Sequence, residues 1–132
     1  MTIDATLYQR LSTFSGLTAL TGDRLYPGVA PQSVNLPFVV WRRVSAVRYP
    51  AMGSDSGVVS VRIQFDIIAG TYSSMRAVVE QLRAALQRWR DPAASPEVID
   101  CTIETELEQT EDLADAVLHR GIVDIILHHR ES

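Results

Sequence analysis

The chain has 132 residues, of which 46% are hydrophobic and 21% charged, with a formal net charge of −4. That length describes one domain that can bury a core without disulfides or metals, and the composition excludes an intrinsically disordered chain. A single cysteine excludes an internal disulfide, and no apolar run is long enough to cross a bilayer as a helix.

The opening MTIDATLYQRL lacks a basic segment followed by an apolar one. The expectation is a cytosolic product with one domain over residues 1–132. From Asp4 to Phe14, Leu7, Leu11 and Phe14 recur at helical spacing, with Asp4 placed to act as N-cap. Gly16 interrupts, a short helical turn follows through Leu20, and Gly22 closes it. The next stretch, DRLYPGVAPQSVNLP, is rich in glycine and proline and carries no evident catalytic group.

FVVWRRVSAVR, residues 38–48, is β-branched and aromatic, and Phe38, Val40, Arg42 and Val44 alternate with Val39, Trp41 and Arg43. Tyr49–Gly57 reads as a turn longer than a tight hairpin needs. In the following strand Val59, Val61, Ile63, Phe65 and Ile67 face one side, and Ser60, Arg62, Gln64 and Asp66 the other. A helix comes next, with Met75, Val78, Val79, Leu82, Leu86 and Trp89 in one apolar stripe and Asp91–Pro92 as its stop.

Beyond it, Ile99, Cys101, Ile103, Thr105 and Leu107 alternate with Asp100, Thr102, Glu104 and Glu106. QTEDLAD reads as a polar loop, and Val117, His119, Val123, Ile125 and Leu127 share a face of the last strand. The predicted class is α+β, in the order α-β-β-α-β-β. Its cheapest packing is a four-stranded, mostly antiparallel sheet with the helices on one face.

Chemistry is sparse. Cys101 lies on an apolar face and reads as an inert thiol. His119 shares a face with Val123 and Ile125, which makes it a core or interface histidine before it is a base. His128 and His129 point to opposite faces and cannot chelate one ion together. GSDSG resembles a nucleophile elbow only superficially, because its centre is Asp55. No phosphate-cradling or dinucleotide motif is present, so no cofactor and no metal are expected.

Charge is unevenly placed. Residues 1–90 hold ten arginines against five carboxylates, and residues 91–132 hold two against eleven, giving +5 and −9, with no lysine anywhere. Glu104, Glu106 and Glu108, at period two, are expected to crowd one side of a strand. They are either solvated or matched to basic residues such as Arg42 and Arg62, with Arg43 and Arg48 nearby.

The loop carries more information. Arg24, Leu25, Tyr26, Pro27, Ala30, Pro31, Gln32, Leu36, Pro37, Phe38, Val39, Val40 and Trp41 stand at the positions of R-[LI]-Y-P-x-x-A-P-Q followed by L-P-[FY]-V-V-[WY]. This segment resembles the tail completion (tail terminator) family of long-tailed bacteriophages and prophages. VRIQFDIIAGTYSSM, with Tyr72 at the matching aromatic position, and LHRGIVDIILHH extend the resemblance from about Leu7 to Arg130. The apolar last strand, with Gly121, departs from the alternating polarity expected there.

The resemblance implies a virion protein without catalytic duty. It implies a ring, commonly of six subunits, that sits on the tail tube, stops its polymerisation and offers a surface to the head. The implied partners are further copies of the chain, the tail tube protein and head–tail connector proteins, with DNA only passing through the lumen and no membrane. Assembly would take place in the host bacterial cytoplasm. A ring needs two dissimilar patches. The expected interface residues are Tyr26, Pro27 and Pro31 on a proline-braced arm, Arg42, Arg43 and Arg48 on the first hairpin, and Glu104, Glu106 and Glu108 on the third strand. The alternatives are a head–tail joining or baseplate adaptor protein, and a small ligand-binding or enzymatic domain using His119.

Overall fold

The computed structural model describes residues 2–51, 54–94, 96–112 and 117–130. Its elements are α1 (Ile3–Ser12), α2 (Ser15–Thr21), β1 (Leu25–Pro27), β2 (Phe38–Ala51), β3 (Ser54–Ala69), α3 (Tyr72–Leu86), β4 (Val98–Asp112) and β5 (Val117–Arg130). The class is α+β as expected, but the sheet has five strands and not four, in the order β1-β2-β3-β5-β4.

The added strand lies inside the proline-rich stretch. Leu25, Tyr26 and Pro27 pair in parallel with Val39, Val40 and Trp41. A parallel pair needs a long connection, because the chain must return to the end it started from. Residues 28–37 are that connection, which gives the loop its length. Arg24 ties its two ends together: its carbonyl accepts from Val39 N–H at 3.1 Å, and its Nε donates to the Pro37 carbonyl at 3.0 Å. Three residues are too few to show a period, so β1 had no pattern to betray it.

The helices form one layer on one side of the sheet. The cap of α1 is Thr2, not Asp4: its Oγ1 accepts from Ala5 N–H at 3.2 Å. Asp4 sits in the first turn, where a carboxylate favours the helix dipole. Gly16 does not interrupt the helical region but lies within α2, where a Cβ would fall 2.1 Å from Gln81 Oε1 of α3. The apolar stripe of α3 is buried as its spacing predicts, through Met75, Val78, Val79, Leu82 and Leu86. The helix ends at Leu86, before the Asp91–Pro92 stop. Arg88 takes a φ of 61°, its N–H donates to the Cys101 carbonyl at 2.7 Å, and Trp89 turns back into the core.

Both long hairpins extend further than their turn signals imply. β2 runs to Ala51 and β3 starts at Ser54, so most of Tyr49–Gly57 is paired strand, with Met52 and Gly53 outside the described residues. Likewise β4 takes in the QTED of the expected loop, and residues 113–116 lie outside the described residues. β3 pairs antiparallel with β5, Val58 opposite Arg130 and Ala69 opposite His119. The two hairpin tips therefore project from opposite ends of the sheet.

Gly121 explains the unusual last strand. It pairs with Ile67 under α3, and a Cβ there would lie 3.0 Å from both Met75 Sδ and Val79 Cγ2. Its missing side chain lets the helix lie close on β5. Gly121→Val should lower the unfolding free energy in a urea titration by about 1–3 kcal/mol through overpacking. Gly70→Ala, whose nearest neighbour is Leu36 Cδ1 at 3.7 Å, should change it by less than about 0.5 kcal/mol.

Candidate assembly surface

The exposed ends of the hairpins hold most of the residues singled out above. Beyond Trp41, β2 is exposed through Tyr49, and β4 is exposed from Glu104 to Asp112. These two strands lie towards opposite edges of the sheet. One edge is arginine-rich and the other acidic, so the charge division along the chain becomes a division across the fold.

Two bulges decide where those charges point. Register shifts between Arg43 and Ser45, and Val44 is the extra residue. Arg43 opposite Ile63 and Arg48 opposite Val59 therefore share the helix side, which unbroken alternation would not allow. Arg43 NH2 lies 3.5 Å from Asp4 Oδ2 at the start of α1. Together with Thr2, Ile3, Pro96 and His129, Arg43 and Arg48 line a cleft of about 440 Å³. Arg42 faces the open side and donates to Gln64 Oε1 at 2.9 Å.

On β4 the register shifts between Ile103 and Thr105. The three glutamates thus do not form one row: Glu104 is the bulged residue, and Glu106 and Glu108 turn to the helix side opposite Val123 and Gly121. Glu108 is held within the chain by Arg76 NH1 at 3.1 Å and by the Tyr72 hydroxyl, which donates to it at 3.0 Å. That hydrogen bond, with some burial, holds the Tyr72 hydroxyl above its ordinary pKa. The half-exposed ion pair contributes at most about 1 kcal/mol. Glu104 and Glu106 form no ion pair or side-chain hydrogen bond among the described residues.

The arm is placed less openly than its composition implies. Tyr26 is half-buried, with its ring edge-on to Phe38 at 6.4 Å. Pro27 ends β1 and is exposed, as is Pro31 in the connection. On the sheet face away from the helices Arg120 pairs with Asp66 at 3.1 Å. On this face Asp66 Oδ1, Arg120 Nε and Asp124 Oδ1 are buried atoms with no hydrogen-bond partner among the described residues.

Cys101 is buried, and burial with Asp100 beside it pushes the thiol up from 9.0 to about 12. His119 packs edge-on to Tyr72 at 6.1 Å. His129 is buried, its Nδ1 donating to the Arg130 carbonyl at 2.7 Å. His128 lies on the other face, as the spacing requires. A second cleft of about 490 Å³ beside α1 is lined by Thr6, Gln9, Arg10, Thr13, Trp89 and Asp91 among others. Neither cleft includes His119. Among the described residues no cluster of ligating side chains could hold a metal, and no helix is long and apolar enough to cross a membrane.

These features describe a helix-backed sheet with two exposed strand edges, one arginine-rich and the other acidic. Residues 5–128 match the family model described as tail completion protein gp17. The chain belongs to that family, as the residues of its proline-rich loop and last strands indicate. A chain in the solved virion of a native gene transfer agent (GTA) particle has the same fold, with a TM-score of 0.75 and 13% identity over 94% of this chain and 91% of that one. No curated protein sequence matches the chain. It is a structural component of a bacteriophage-type tail.

The buried thiol yields a pH prediction. The unfolded chain releases the Cys101 proton near pH 9, and the folded chain keeps it until about 12. Its contribution to stability is therefore complete below about 9 and declines as pH rises towards 12. Urea midpoints should fall between pH 8 and pH 10.5, and Cys101→Ala should flatten that decline. At pH 8 a thiol reagent should label the native protein only after urea is added.

Proposed function

We propose that the protein forms a ring, of six subunits when assembled, which caps the finished tail tube, ends its polymerisation and presents the surface to which the head attaches. Membership of the tail completion family carries this reading. The opposed charged edges support it, because a closed ring needs a heterologous contact between unlike patches.

In this arrangement Arg42, Arg43 and Arg48 of one subunit approach Glu104, Glu106 and Glu108 of the next. Glu108 shares its carboxylate with Arg76 and Tyr72, so Glu104 and Glu106 contribute most. Such pairs set register and reject wrong partners more than they add affinity. Tyr26, Pro27 and Pro31 belong to a connection whose prolines restrict its conformations, and their exposed side rests on the neighbouring subunit or the tube. The net negative charge of −4 per chain lets DNA pass without adhering to the lumen. Assembly takes place in the host bacterial cytoplasm. The tail tube protein lies on one face of the ring and head–tail connector proteins on the other.

Particles lacking the protein should carry overlong, irregular tails in electron micrographs. Tails of normal length, detached from heads, would instead assign the protein to the head–tail joint. Reversing both Glu104→Arg and Glu106→Arg should weaken each subunit contact about tenfold at low salt, from two exposed pairs of up to about 1 kcal/mol each. The loss should shrink as salt rises. Unchanged ring mass and stability in native mass measurements on capped tubes would count against the charge pairing.

A further inference from the structure

Two strand edges are left open, and they are complementary in direction. β1 covers β2 only from Val39 to Trp41, so from Arg42 onward β2 has no strand on its outer side among the described residues. The edge of β4 is closed only in its first half. Asp91 bridges Val98, Arg88 N–H reaches the Cys101 carbonyl, and Gln87 Oε1 accepts from Ile103 N–H at 2.8 Å. From Thr105 to Asp112 nothing covers it among the described residues. An uncovered edge is a ready template for another strand. Successive neighbours from β2 through β3 and β5 to β4 are antiparallel, so β2 and β4 run in opposite directions. The β4 edge of one copy can therefore extend the sheet of another at β2 as an antiparallel pair, with both helix layers on the same side.

Side chains match on both faces in such a pair. On the helix side the β2 edge presents Arg48 and the β4 edge presents Glu106, which forms no ion pair among the described residues. On the open side Val47 and Leu107, both 53% exposed, stand on the same face. Each bulge is necessary for this parity. Without the one at Val44, Arg48 would leave the helix side, and without the one at Glu104, Glu106 would. The two open edges lie at opposite ends of the sheet, so each added copy is displaced along the strands. A sheet that closes on itself requires such a stagger.

We infer that neighbouring copies join by main-chain pairing of Ser45–Tyr49 with Thr105–Gln109 of the next copy, Arg48 opposite Glu106 and Val47 opposite Leu107. In this register Ala46 faces Glu108 and leaves room for its bonds to Arg76 and Tyr72. A register two residues along would set Arg48 against that engaged carboxylate and Val47 against Gln109. The inference rests on the ring reading and adds the element that joins the subunits.

The test is a double variant, Val47→Cys with Leu107→Cys, incorporated into assembled particles. Cβ atoms opposite each other in an antiparallel pair are close enough for a disulfide after small adjustment. Mild oxidation should give a ladder of covalent multimers ending at the full ring on non-reducing gels, and neither single variant should. Tyr49→Cys with Leu107→Cys, the neighbouring register, should cross-link at least tenfold less. Stronger cross-linking by that second pair overturns the register. Particles that hold several copies per tail, yet give no cross-link with either pair, overturn the edge pairing and leave the ring intact. A single copy per tail overturns both.

Discussion

The helical layer is much shorter than the strands it covers, and most of the molecule's character follows from that mismatch. A helix the length of α3 spans about 22 Å, at about 1.5 Å per residue. A strand the length of β3 spans about 53 Å, at about 3.3 Å per residue. One layer of helices can dry only the middle of such a sheet. The core accordingly takes Val39 and Trp41 from β2, Val59 to Ala69 from β3, and Val98 and Cys101 from β4. Past those points β2 and β4 continue as exposed strand, held by backbone pairing to their inner neighbours. Gly121 belongs to the same constraint, because the central contact must be close for a small layer to cover the sheet at all.

Ends of strands that no helix covers are an aggregation hazard unless their chemistry is specific. Here that specificity is charge sorted by edge, arginine on β2 and glutamate on β4, and then sorted by face through two bulges. The bulges at Val44 and Glu104 leave one residue each unpaired within the ladder. In exchange they turn Arg48 and Glu106 towards the helix side and Val47 and Leu107 towards the open side. Cys101 and His129 lie in the dry middle.

The proline-rich connection also follows from a backbone constraint. β1 is parallel to β2, and the chain must cross back over the length of the pair between Pro27 and Phe38. A tight turn cannot do this. Arg24 secures the crossing by bonding both its own strand's neighbour and the Pro37 carbonyl, so the segment with the most recognisable residues is also the one the edge of the sheet depends on.

The sequence alone determined the α+β class, the apolar stripe of α3, the dry face of β3, the inert setting of Cys101 and the family, through residues of the loop and last strands. Each of these is a repeated local pattern or an ordered set of residues, and a period of 2 or 3.6 reports directly which side of an element is dry. Only the tertiary structure decided the fifth strand, the end of α3 at Leu86, the close approach over Gly121 and the phase of Glu106 and Arg48. Three residues hold no period. A helix that could continue to Trp89 stops because β4 offers the Cys101 carbonyl to Arg88 and the core accepts the indole. A bulge exists only relative to the strand beside it, so the face a charge occupies beyond it is a property of the pair and not of the chain segment that carries the charge.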